Sequence, residues 1–133
     1  MAINFDKALG IYEDTLLIRE KRAEILSQNL ANADTPGYKA RDLDFKSLIN
    51  QALEMKSAPN MNRTSAGHMS TAEALASDSS LLYRTPMQPS IDGNTVDTDI
   101  EMAQFAKNTM DFQASLTFLQ SRFRGLKGAL KGE

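Results

Sequence analysis

The chain contains no cysteine, no tryptophan and a single histidine. Without cysteine there is no disulfide, no thiolate nucleophile, no Cys-ligated zinc and no iron–sulfur cluster. With His68 alone, His pairs and His-rich metal sites are excluded too. No apolar run reaches the roughly 20 residues that a membrane-spanning helix needs. There is no Gly-rich phosphate loop, and Met1 to Phe5 lack the charged, apolar and small-residue order of a cleavable secretory signal. Neither sign of charge dominates. Fifteen Lys and Arg face 17 Asp and Glu, a formal net charge of -2, which argues against binding nucleic acid through its phosphates. The expectation is a non-enzyme with no metal, no cofactor and no small-molecule substrate.

What is present is 41% hydrophobic residues in 133, unevenly distributed. Phe5, Leu9, Tyr12, Leu16, Ala23, Leu26, Leu30 and Ala33 recur in steps of 3 and 4, with Arg19 interrupting. This is a heptad seam on one helix about 40 Å long. Asn4 suits its N-cap and Asp6 its first turn. A second row, Ile11, Ile18 and Ile25, lies on another face, so this helix needs more than one partner; in a lone hairpin one row stays exposed. Pro36 stops the helix, and Thr35-Pro36-Gly37-Tyr38 reads as a type II turn. Lys39 to Leu43 reads as extended. Asp44 then caps a short helix to Met55, with Phe45, Leu48, Ile49, Ala52 and Leu53 on one face.

Ser57 to Ser90 is polar and lacks a long period; Thr71 to Leu82 reads as a helical turn or part of a hairpin. Asp92-Gly93 marks a turn. Thr98 and Glu101 read as a capping box. Behind them Met102, Phe105, Thr109, Phe112, Leu116, Leu119, Phe123, Leu126 and Leu130 form a seam over about four heptads. Ile100, Ala103, Met110 and Ala114 make a smaller row. Arg122, Arg124, Lys127 and Lys131 crowd the end of this helix: a solvated helix terminus, or, more sharply, a contact for an acidic neighbour. The fold expected is mainly α, two long terminal amphipathic helices packed as an antiparallel coiled coil and joined by a polar, partly irregular insert with a short helix. The expected segments are 1–35, the first helix; 36–56, the turn, extended stretch and short helix; 57–96, a flexible insert; and 97–133, the last helix.

The run from Ser27 to Tyr38, holding Asn29, Asn32, Asp34, Thr35, Pro36, Gly37 and Tyr38, resembles the signature of bacterial flagellar axial proteins. Lys39 to Phe45, and Asp92 to Asp97 followed by Glu101-Met102, are similar to the basal-body rod protein family, most of all its proximal rod members. The resemblance implies a structural, self-assembling subunit of the rod of the bacterial flagellum, a tubular drive shaft for motility located in the basal body within the periplasmic space. It implies export, unfolded, from the cytoplasm by the flagellar type III apparatus without a cleaved signal. The implied partners are other rod subunits, further copies of the chain, the inner-membrane ring or a rod-adaptor protein, and the export gate. The implied assembly seam is Leu9, Tyr12, Leu16, Leu26, Leu30, Phe105, Phe112, Leu116, Leu119, Phe123 and Leu126. Phe45 and Ile49 fit an export-gate motif, Phe followed four residues later by an apolar residue, although Phe5–Leu9 and Phe112–Leu116 fit it too. From the residues themselves, Asn29 and Asn32 fix the helix end and turn, Tyr38 is a packing anchor, and His68 lies in a solvated loop. The alternative is a coiled-coil adaptor with no flagellar role, which would not need the Pro-Gly signature.

Overall fold

In the computed structural model the described residues are 9–57, 81–86 and 90–132. The expectations for Asn4, Phe5, Asp6, His68 and most of Thr71–Leu82 fall outside them. The element order is α1 (Tyr12–Ala31), β1 (Arg41–Leu43), α2 (Phe45–Ser57), β2 (Leu81–Tyr83) and α3 (Thr98–Lys131).

Helix α1 begins later than the heptad pattern suggests. Gly10 takes a left-handed φ of 59 and breaks the helix ahead of Tyr12. This conformation suits glycine, which has no Cβ to clash. At the other end Thr35-Pro36-Gly37-Tyr38 closes as expected. Tyr38 N–H donates to the Thr35 carbonyl at 3.3 Å, and Gly37 has φ 74, the value the third position of a type II turn requires.

Beyond the turn, β1 and β2 pair antiparallel, with Arg41 opposite Tyr83 and Leu43 opposite Leu81. The Asp44 side chain accepts from Ser47 N–H at 3.2 Å and so caps α2, as its sequence position predicts. The polar insert is therefore not detached along its whole length. Leu81–Tyr83 is a strand of the folded body and Asn94 is buried within it.

α1 and α3 lie antiparallel. Along α1 the partners run backwards along α3: Tyr12 with Arg122, Arg19 with Asp111, Arg22 with Gln104, Asn29 with Glu101. The N-cap of α3 is Asp97, whose carboxylate accepts from Asp99 and Ile100 N–H. The expected Thr98–Glu101 capping box is thus corrected by one position. Glu101 is drawn into the interior instead, where it has better partners.

The small apolar core joins Ile18 and Ile25 of α1 to Leu43 and Leu48, with Phe45, Ile49 and Leu81 packed around them. Ile18 and Ile25 of the second row are covered by the chain's own β1 and α2, while Ile11 is half-buried. Core truncation at Ile25 leaves a cavity costing about 2–5 kcal/mol. Ile25→Ala should therefore destabilise the chain by that amount in urea denaturation. Leu17→Ala, on the exposed side of the same helix, should change it by only about 0.5 kcal/mol.

Candidate functional site

The contact between α1 and α3 is polar. On α3 the buried side chains are Glu101, Asn108 and Ser115, seven residues apart. Gln104 and Asp111 lie beside them and reach Arg22 and Arg19. On α1 the facing positions include Arg22 and Asn29, also seven apart.

Asn29 is fully buried and uses its whole hydrogen-bonding capacity. Its amide donates to the Arg41 carbonyl at 2.7 Å and to Glu101 at 3.2 Å. Its oxygen accepts from Arg41 N–H at 3.1 Å and from the Tyr38 hydroxyl at 3.3 Å. A side chain with two donors and two lone pairs has nothing left over. Asn29 thus ties the end of α1 to β1, to the signature turn and to α3 at once.

Around it runs an ionic chain. Arg22 grips Asp42 with two bonds, at 2.8 and 2.9 Å. Arg84, just past β2, bonds Asp42 at 2.6 Å and also pairs with Glu101. Arg19 extends the chain outward, with its guanidinium 4.2 Å from the Phe45 ring centroid. Burial pushes the Asp42 carboxyl up, but the hydrogen bonds from Arg22 and Arg84 outweigh it and hold Asp42 below its ordinary value. For Glu101 burial wins over Asn29 and Arg84, and its carboxyl is raised. The pairing is not perfect. Arg19 Nε and Asn108 Oδ1 are buried without a partner, a cost of roughly 1–3 kcal/mol each.

The two signature blocks are one physical unit. Asn94 directs its amide at the carbonyls of Asn32, Ala33 and Thr35, at 3.1, 2.6 and 3.0 Å, just past the end of α1. Gly37 N–H donates to the Asp92 carbonyl at 2.9 Å and Thr95 N–H to the Tyr38 carbonyl at 3.0 Å. Asn32 donates back to the Gln28 carbonyl and accepts from the Thr35 hydroxyl. Asp34 and Pro36 are exposed at the tip.

The apolar heptad row lies elsewhere than expected. On α3, Met102, Phe105, Leu116, Phe123 and Leu130 are 55, 37, 39, 46 and 76% exposed; Phe112, Leu119 and Leu126 are half-buried. The row flanks the helix contact and does not fill it, because the contact face of α1 carries Arg19, Arg22 and Asn29, which demand polar partners. Gln104 and Asp111 edge the contact on the side of Asp42 and Phe45. The apolar row edges it on the other side, away from β1 and α2. Leu16 and Ala23, half-buried on α1, lie roughly 160° around that helix from Ile18 and Ile25 at about 100° per residue. Both helices thus present apolar side chains on one open face. Leu9, Tyr12 and Leu30 are half-buried, and only Leu26 of the expected seam is fully enclosed. The polar row was legible in principle, as Glu101, Asn108 and Ser115 in steps of seven, but such a row ordinarily marks a solvated face.

Phe45 and Ile49 pack against the core, so the folded chain does not display them as a free motif. Among the described residues no group of three or more His, Cys, Asp or Glu could hold a metal, and no helix is long and apolar enough to cross a membrane. A polar hollow on α2 is lined by Asp44, Lys46, Ser47, Asn50, Gln51 and Glu54.

Residues 18–39 match the family described as flagella basal body rod protein. Over 136 residues, all of this chain and 99% of the relative, the sequence is 48% identical to the flagellar basal body rod protein FlgB of Aeromonas hydrophila. It is 44% identical to FlgB of Salmonella typhimurium, covering 99% of each chain. It is 39% identical to FlgB of Escherichia coli, covering 98% of each.

The two carboxylates of the network have opposite pH signatures. The lowered Asp42 contributes stability above the unfolded carboxyl pKa, and this is lost as pH falls through its lower folded value. The raised Glu101 binds a proton more tightly folded than unfolded, so its cost at neutral pH is relieved as pH falls through its folded value. Glu101→Gln removes the second effect. In urea titrations, the stability of the unaltered chain relative to Glu101→Gln should rise as pH falls from neutral towards the ordinary carboxylate range. A constant difference would mean that Arg84 fully compensates the buried carboxylate.

Proposed function

This chain belongs to the FlgB family of flagellar basal body rod proteins, and we propose that it joins the proximal rod by burying the apolar face of its helix pair against neighbouring subunits. It is a structural subunit of the flagellar rod and acts in the basal body. The observation that supports this mode of assembly is the open face of α1 and α3. A chain with a private core would have turned Phe105, Leu116 and Phe123 inward. Here the inward positions are held by Glu101, Asn108 and Ser115, and large apolar side chains remain at the surface. Apolar patches of this kind mark surfaces that other proteins cover.

On this reading the Pro-Gly turn and Asn94 set the angle at which the chain leaves α1. The network at Asn29, Asp42 and Arg84 fixes α3 against α1, so that both helices offer their apolar rows together. The neighbours are other rod subunits and further copies of the chain. The inner-membrane ring or an adaptor on it meets the proximal end. The flagellar type III apparatus exports the chain unfolded. Phe45 and Ile49 are packed in the folded core, so an export gate could read them only in the unfolded chain, which fits that route.

Leu116→Asp and Phe123→Asp place charge on the open face without entering the core. Each should leave the unfolding free energy within about 0.5 kcal/mol and yet abolish rods in isolated basal bodies and swimming in soft agar. Normal rods in both variants would contradict the proposed face. For export, Phe45→Ala should lower the amount of chain secreted. Because Phe45 also packs in the core, the variant is compared with Leu48→Ala, which perturbs the same core outside the motif; equal secretion of the two would leave Phe45 without a role at the gate.

A further inference from the structure

The last turns of α3 differ from the rest of the body. From Gln113 to Gly132 the sequence contains Arg122, Arg124, Lys127 and Lys131 and no acid. Helix α1 starts at Tyr12, whose ring lies beside Arg122. The antiparallel α3 therefore runs on past the first turn of α1 from Phe123 to Lys131, about 14 Å at 1.5 Å per residue. On this stretch Phe123 is 46% and Leu130 76% exposed, and Arg124, Lys127 and Lys131 are exposed with them.

These side chains form one strip. At about 100° per residue, Leu116, Phe123 and Leu130 fall nearly in line. Lys127, Lys131 and Arg124 lie roughly 40 to 100° further round the helix, on the side away from α1. Glu13, exposed next to Tyr12, offsets the charge in part. The acids of the turn end do not. Asp99 and Lys127 are separated by about 42 Å of helix, several times the screening length of about 8 Å at physiological salt.

The intramolecular explanations fall short. The helix dipole favours bases in the last turn and fades beyond it, which accounts for Lys131 but not for Arg124. A merely solvated helix end has no use for an exposed Phe123 and Leu130. Gly125 and Gly128 also make this stretch a poor helix by its own propensity.

We propose that this strip docks the unassembled subunit on an anionic lipid surface, with Phe123 and Leu130 at the acyl boundary and Arg124, Lys127 and Lys131 among the phosphate headgroups. A helix that joins an apolar stripe to a basic margin lies in the plane of such an interface. The long stems of Lys and Arg lie along the apolar zone while their charged heads reach the phosphates. An acidic protein would also attract the cations, but it would have to offer fitted pockets to Phe123 and Leu130. A bilayer takes a straight strip without fitting. So few cations and so short a strip give weak, reversible adsorption, and the lipid contact is given up wherever neighbours cover Leu116 and Phe123. The inference goes beyond the rod reading and does not depend on it.

Co-sedimentation of the purified chain with vesicles tests this. Vesicles of equal parts phosphatidylglycerol and phosphatidylcholine should bind it at least about tenfold more tightly than phosphatidylcholine alone, and added salt should weaken that binding. Lys127→Glu with Lys131→Glu should reduce it at least about tenfold. Lys46→Glu with Lys107→Glu, the same change of charge at exposed positions off the strip, should leave it within about twofold. Leu130→Gln should weaken it about threefold or more. No binding, equal binding to the two kinds of vesicle, equal loss in the two charge pairs, or full binding by Leu130→Gln would overturn the proposal. So would binding to polyglutamate as tight as to the mixed vesicles, which would assign the strip to an acidic protein.

If a charge pair lowers the helicity seen by circular dichroism, a single thiol decides the matter, since the sequence has no cysteine. An environment-sensitive fluorophore on Leu130→Cys should shift to the blue on the mixed vesicles, and the same label on Asn50→Cys, on α2, should not. A shift at both positions, or at neither, would overturn it.

Discussion

The contact between the first and last helices is built from charges and amides, and most of the structure follows from that. Arg22 and Arg84 share Asp42, Arg84 pairs with Glu101, and Asn29 saturates itself between Glu101, Arg41 and Tyr38. A buried guanidinium needs acceptors, so the face of α3 opposite α1 must be polar. Once that face is Glu101, Gln104, Asn108, Asp111 and Ser115, the apolar heptads of α3 have to lie to one side of it. Buried ionic contacts contribute little net stability, because desolvation offsets much of the attraction. What they supply here is alignment: an antiparallel pair shifted by one turn would strand these charges.

The same network explains why a chain with so small an apolar core holds a definite shape. Ile18, Ile25, Leu43 and Leu48 are few, but the segment that covers them is fastened at Asp42 from two directions. The turn end is fastened separately by Asn94, whose amide donates to three carbonyls just past the end of α1. The two sequence blocks that resemble the rod family are distant in the chain and adjacent in space. They form a joint between α1, the turn and the start of α3.

Much of this was legible in the residues. Pro36 and Gly37 located the turn, Asp44 the start of the short helix, and the seven-residue period both long helices. The failures have a common origin. Periodicity reports that a face is apolar but not what covers it, so the row from Met102 to Leu130 does not by itself say whether the partner helix or a neighbouring subunit lies against it. The true contact row, spaced by the same period, consists of residues that usually face water. Gly10 was passed over because a single glycine does not interrupt an apolar pattern, although its backbone interrupts the helix. The placement of Glu101 depended on Arg84, and no sequence rule pairs two residues separated by a strand end and a turn. The Ile row was read as unpartnered because the extended stretch after the turn carries too few apolar residues to announce itself as a lid.

The central claim is that the isolated subunit keeps its polar row inside and its apolar row outside, the latter awaiting neighbours. Hydroxyl-radical footprinting read by mass spectrometry measures this directly, side chain by side chain, in the purified chain and in isolated basal bodies. The account predicts that Met102, Phe105, Leu116 and Phe123 are oxidised readily in the free chain and protected in the rod, while Leu26 and Leu43 are protected in both. Protection of Phe105, Leu116 and Phe123 already in the free monomer would contradict it.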